Sequence, residues 1–132
     1  MAKRFPYTSK TLAYLEKSGF QTGIVERFIG QAGKFGVRKD LFGIFDLISY
    51  DVDCTIGIQT TSRAQLAPHH RTIMESEHTF GWLNGPGRKI YLITWSKKKV
   101  KRGGIAFKYV PHIREYMINV FGKLTFEDSE EL

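Results

Sequence analysis

Cysteine is almost missing: Cys54 is the only one in 132 residues. A single thiol excludes an internal disulfide framework and a cysteine-rich zinc site. Long apolar runs are missing as well. No stretch approaches the ~20 apolar residues of a membrane-spanning helix. The opening residues, MAKRFP, are basic but lack the apolar run of a secretory signal. The expectation is an intracellular protein with no membrane partner. Acids are scarce beside bases, 13 against 20, for a formal charge of +7. Four of those acids (Glu127, Asp128, Glu130, Glu131) fall in the last six residues, which leaves the body with 20 bases against 9 acids. From Phe80 to Tyr109 there is no acid at all. A basic body favours polyanions, because each phosphate it neutralises releases counterions.

Hydrophobic residues make up 42% of the chain and aromatic residues 14%. That supports a real core in a chain of single-domain length. One domain is expected over residues 1–126, followed by an acidic, frayed tail at 127–132. Thr8 or Ser9 can cap a first helix over about residues 9–18, with Leu12 and Leu15 on one face and Gly19 as its stop. Residues 21–29 are rich in β-formers and read as a strand. Residues 30–39 read as a loop carrying Lys34, Arg38 and Lys39. Residues 41–50 (LFGIFDLISY) are nearly continuously apolar, as in a strand covered on both faces. After a turn at 51–53, residues 55–61 (TIGIQTT) alternate. Ile56, Ile58 and Thr60 go to one face, and Gly57, Gln59 and Thr61 to the other.

Pro68 suits the first turn of a helix reaching about Asn84, which Gly85 to Gly87 would end. Residues 89–95 form a strong strand pattern, 96–104 a basic hairpin loop, 105–110 a last strand and 112–121 a short helix. The order is helix, three strands, helix, then one or two strands. It predicts an α/β (α+β) chain with a mixed central sheet flanked by helices. The first three strands should form an antiparallel meander, and the strand after the second helix should return parallel.

Asp46 is the most informative residue. A carboxylate inside an apolar strand is costly unless it is paired or holds a metal. Gln59, on the next strand, offers an amide oxygen. Oxygen ligands suit Mg²⁺ or Mn²⁺, which would activate water and stabilise charge on a phosphate. Arg38 or backbone N–H groups could instead satisfy Asp46.

An acid in one central strand, a short turn, then a Gln-x-Thr element in the next strand resembles the PD-(D/E)XK nuclease superfamily. The likeness covers roughly residues 8–96. It lies nearest the Holliday-junction-resolvase and restriction-endonuclease-like members, and RKDLFGIFDLI with IGIQTTS is also similar to small phage and bacterial proteins. The resemblance implies an αβββαβ core, a Mg²⁺- or Mn²⁺-dependent nuclease acting on DNA, and the cytoplasm of a bacterium or phage-infected cell. Asp46 matches the metal-binding aspartate and Gln59 the second metal-binding position. Thr61 stands where a catalytic lysine is expected. Threonine cannot place a positive charge beside the attacking water. Arg63 and Arg71 are the nearest substitutes. Many members add a glutamate from the first helix, where Glu16 is the only acid. Glu26 in the first strand is the alternative, as a metal ligand or as a surface ion pair. Asp40 reads as a turn residue or a further ligand.

The nucleic-acid contacts are expected from Arg38, Lys39, Arg71 and the loop residues Lys97, Lys98, Lys99, Lys101 and Arg102. DNA is the expected partner ahead of RNA, and a branched substrate would call for a homodimer with two sites. His69 and His70 point apart on a helix and make a poor zinc pair. Loss of the lysine also leaves open a catalytically inactive nuclease-fold protein that binds nucleic acid or a protein partner.

Overall fold

The computed structural model describes residues 7–29 and 37–132. The first helix, α1 (Tyr7–Lys17), buries Thr11 and Leu15. It ends at Gly19, whose φ of +98° only glycine adopts without strain. The strands β1 (Gln21–Ile24) and β2 (Arg27–Ile29) follow, where a single strand over 21–29 was expected. The break has a cause: the N–H groups of Val25 and Glu26 both donate to the carbonyl of Asp46, at 2.9 and 3.1 Å. This turns the chain out of the main sheet. β2 pairs with β3 (Val37–Lys39) as a separate two-stranded hairpin.

The apolar run 41–50 is likewise not one strand. Only β4 (Leu47–Tyr50) is extended. Residues 40–45 fold into a tight loop around Phe42 and Gly43, with φ of 56° and 74°. β5 (Thr55–Ser62) passes into a short 3₁₀ turn (Arg63–Gln65). The expected long helix is two helices, α2 (Leu66–Glu75) and α3 (His78–Leu83), separated where Ser76 takes an extended backbone.

β6 (Arg88–Lys99) and β7 (Phe107–Ile118) form a long antiparallel ribbon. Lys97, Lys98 and Lys99 therefore lie in a strand and not in a loop, and residues 112–118 are strand where a helix was expected. Pro111 fits within β7 because the pairing of β7 with β8 (Leu124–Ser129) reaches only to Ile113. β8 also corrects the frayed tail. Glu127, Asp128 and Ser129 belong to the sheet, and Asp128 takes a two-point contact from Arg114, at 2.7 and 2.9 Å.

The sheet order is β1-β4-β5-β6-β7-β8, with β5–β6 parallel and the other pairs antiparallel. The expected mixed sheet with helices on it is present. Alternation along the strands makes two cores. Leu15, Ile56, Ile58, Tyr91, Ile93 and Trp95 pack under α1. Phe45, Ile73, Ile90, Leu92 and Tyr116 pack on the other face with α2 and α3. Among the described residues no helix is long and apolar enough to cross a membrane.

A buried polar relay fastens α1 to the sheet. The Thr11 hydroxyl lies 2.7 Å from that of Thr60 and accepts the Trp95 indole N–H at 2.9 Å. Thr11→Val keeps the shape but strands both partners. It should cost about 1–3 kcal/mol in urea denaturation. An unchanged midpoint would show that the relay does not hold the helix.

Candidate metal centre

Asp46 sits one residue before β4, with its N–H on the carbonyl of Ile58 at 2.8 Å. Its own carbonyl takes the Glu26 N–H, which fixes Glu26 beside it. The loop at 40–45 folds back on itself: Leu41 donates to the Phe45 carbonyl at 2.9 Å, and Gly43 to that of Asp40 at 3.0 Å. This brings Asp40 to the same place. Carboxylate oxygens of Glu26, Asp40 and Asp46 all lie within 4.8 Å of one another. Asp46 is 5% exposed, and the other two are half-buried.

The cluster is electrostatically uncomfortable without a cation. Burial raises the Asp46 carboxyl most. The hydrogen bond and negative charge of Asp40 raise it further, and Glu26 adds to them. The Thr60 N–H, donated to Asp46 Oδ2 at 3.0 Å, pulls the other way. The outcome is a pKa pushed up to about 9, so without a cation the Asp46 carboxyl favours its protonated form at neutral pH. Three carboxylates make an all-oxygen donor set that fits a hard divalent ion such as Mg²⁺ or Mn²⁺.

Gln59 joins the cluster differently from expectation. Its amide nitrogen donates to Asp40 Oδ2 at 3.0 Å. It thus steadies a carboxylate that belongs to the cluster. Asp40 read as a turn residue or a further ligand, and its approach to Asp46 depends on the left-handed backbone at Phe42 and Gly43. The Phe-Gly pair after an acid was the available signal. Glu16 is exposed on α1 and lies outside the cluster.

Thr61 is half-buried and shares the face of Gln59. From it a polar row runs across the sheet through the registered pairs Thr61 with Thr94 and Thr94 with His112. Arg63 is exposed in the 3₁₀ turn. Its charge acts on His112, which burial, and then Arg63, hold below the usual histidine range. Arg71 is exposed on α2, and Lys39 is exposed next to Asp40. Arg38 lies in β3, but its side chain is outside the described residues, as is the segment 30–36. Lys97, Lys98, Lys99, Lys101 and Arg102 are all exposed along the β6–β7 ribbon and its turn, remote in sequence from the acids. His69 and His70 do point apart. His69 Nδ1 lies 2.9 Å from the Gln65 carbonyl, and His70 Nδ1 lies 2.6 Å from the Tyr116 hydroxyl.

No protein-family model matches the chain, and no curated protein or solved structure matches it.

Proposed function

We propose that this protein is a Mg²⁺- or Mn²⁺-dependent phosphodiesterase acting on DNA, built in the manner of the PD-(D/E)XK nucleases. The observation that carries this reading is the gathering of Glu26, Asp40 and Asp46 in a chain that is otherwise strongly basic. The element order supports it: a helix, an antiparallel meander, helices, then a parallel strand. A divalent ion bound there supplies activation of water and stabilisation of phosphate charge. Asp46, Asp40 and Glu26 hold it. The Thr60 N–H orients Asp46, and Gln59 orients Asp40. Lys39 and the ribbon cations Lys97 to Lys99, Lys101 and Arg102 neutralise backbone phosphates. Arg63 or Arg71 supplies the positive charge that Thr61 lacks. A branched substrate would engage a homodimer.

Thr61 itself favours a second reading, in which the scaffold binds nucleic acid without cutting it. A cleavage assay separates the two. Linear, single-stranded and branched DNA are incubated with the protein in Mg²⁺ or Mn²⁺ and, in parallel, in EDTA. Cleavage confined to the metal lanes is expected. Binding with no cleavage of any substrate in either metal would establish the second reading.

A further inference from the structure

The face of the sheet opposite α2 carries a feature that the metal centre does not use. A groove of about 330 Å³ runs between α1 and the β6–β7 ribbon, lined by Lys10, Tyr14, Lys17, Trp95 and Tyr109. Trp95 forms its floor. Its ring is fixed by the indole hydrogen bond to Thr11 and by an edge-to-face contact with Tyr14, with centroids 5.6 Å apart. The ammonium of Lys10 stands 5.8 Å from the Trp95 ring centre. One step further out the pattern repeats. Lys97 pairs with Tyr109 across the ribbon, and its ammonium lies 4.5 Å from the centre of the Phe107 ring. Phe107 is 48% exposed. Strand alternation puts Trp95 and Lys97 on one face of β6, and Phe107 and Tyr109 on the matching face of β7. Rings and cations therefore alternate along one strip, from the groove toward the turn that bears Lys101 and Arg102.

At this rim the N–H of Leu132 donates to the Tyr14 hydroxyl at 3.0 Å. Rings alone would suit an apolar partner, and lysines alone would suit any polyanion. Their alternation suits a polymer that alternates flat apolar faces with negative charges. Unpaired nucleotides do so, whereas in a duplex the base faces are already stacked on one another. We infer that this strip is a binding site for single-stranded nucleic acid, with bases stacking on the accessible rings of Phe107, Tyr109 and Tyr14 over a buried Trp95, and phosphates meeting Lys10, Lys17 and Lys97. The inference deepens the nucleic-acid reading proposed above, and rests on it for the class of polymer.

The test is fluorescence anisotropy of a labelled oligothymidylate in EDTA, where no cleavage occurs. Duplex DNA of the same length, heparin and anionic lipid vesicles serve as competitors. Oligothymidylate should bind at least about tenfold tighter than duplex. Phe107→Ala, at an exposed ring, should weaken oligothymidylate about tenfold while leaving heparin unchanged. Lys10→Gln should lower the salt slope by about one. Equal affinity for duplex, heparin and oligothymidylate with no effect of Phe107→Ala would overturn the site. So would binding to vesicles alone. Intact, Phe107-dependent binding together with absent cleavage in Mg²⁺ would overturn the phosphodiesterase reading and leave this site standing.

Discussion

Asp46→Asn should abolish metal-dependent cleavage, by at least about 100-fold, and at the same time raise the melting temperature of the metal-free protein. The loss follows from removing a charged ligand on which stabilisation of the transition state depends. The gain follows from the electrostatics of the cluster. The Asp46 pKa in the folded chain, about 9, lies above its ordinary value of 3.8. The folded form therefore prefers the protonated carboxyl. Its contribution to stability is complete below the unfolded value and is lost as pH rises through the folded one. Asparagine avoids that loss while keeping an oxygen for the Thr60 N–H. The stability gap between variant and wild type should widen from about pH 4 to about pH 9. Each ~1 kcal/mol should appear as roughly 4 °C in melting temperature. Adding Mg²⁺ should stabilise the wild type and leave the variant unmoved, because only the folded wild type binds it well. Thermal melts over pH, with EDTA and with Mg²⁺, read all of this. A variant that melts lower than wild type at every pH would refute the picture of a destabilising carboxylate cluster.

Gly57→Ala is the second large effect. A Cβ at Gly57 would overlap the ring of Phe45. Phe45 is fully buried and packed against Trp82, with ring centroids 4.8 Å apart, so it has little room to yield. Overpacking of this kind costs about 1–3 kcal/mol, and the larger Gly57→Val should exceed what a domain of this size tolerates. The site should suffer too, since Phe45 directly precedes Asp46. Gly57→Ala combined with Phe45→Leu should recover part of the loss. Urea denaturation of the singles and the double measures the coupling. Strict additivity would place the conflict elsewhere.

The parts of the fold that the chain announces are those whose pattern has one solution. β5 alternates cleanly, and its Gly57, Gln59 and Thr61 do share a face. The strong strand beginning near Lys89 and the helix carrying Leu12 and Leu15 are equally plain. β7 was misread because Ile113, Tyr116 and Met117 fit helical spacing, whereas in the strand Ile113 and Tyr116 fall on opposite faces, each covered by its own core. What decides for strand is non-local: β6 on one side and β8 on the other. β8 itself was concealed by its acids, which suggested a solvated end. In the structure Asp128 meets Arg114, and backbone pairing holds the strand. In the metal centre Asp46 was legible as a charge with no local excuse. Asp40 stayed open between a turn residue and a further ligand, because its place beside Asp46 depends on a loop that turns back through left-handed residues. Gln59 was found, but its direction was not. An amide can offer either end, and only the neighbouring carboxylate chooses.

The ribbon strand β6 ties the two proposed sites together in a way that bears on how such a chain can change. Ile90, Leu92 and Thr94 look toward the acids' side, and Tyr91, Ile93 and Trp95 toward the groove. One inserted residue near its start would exchange the two sets. Threonine and tryptophan would trade surroundings, and both sites would fail in a single step. Drift in length is therefore barred from this strand, whereas the turn at 100–106 can lengthen without disturbing either face.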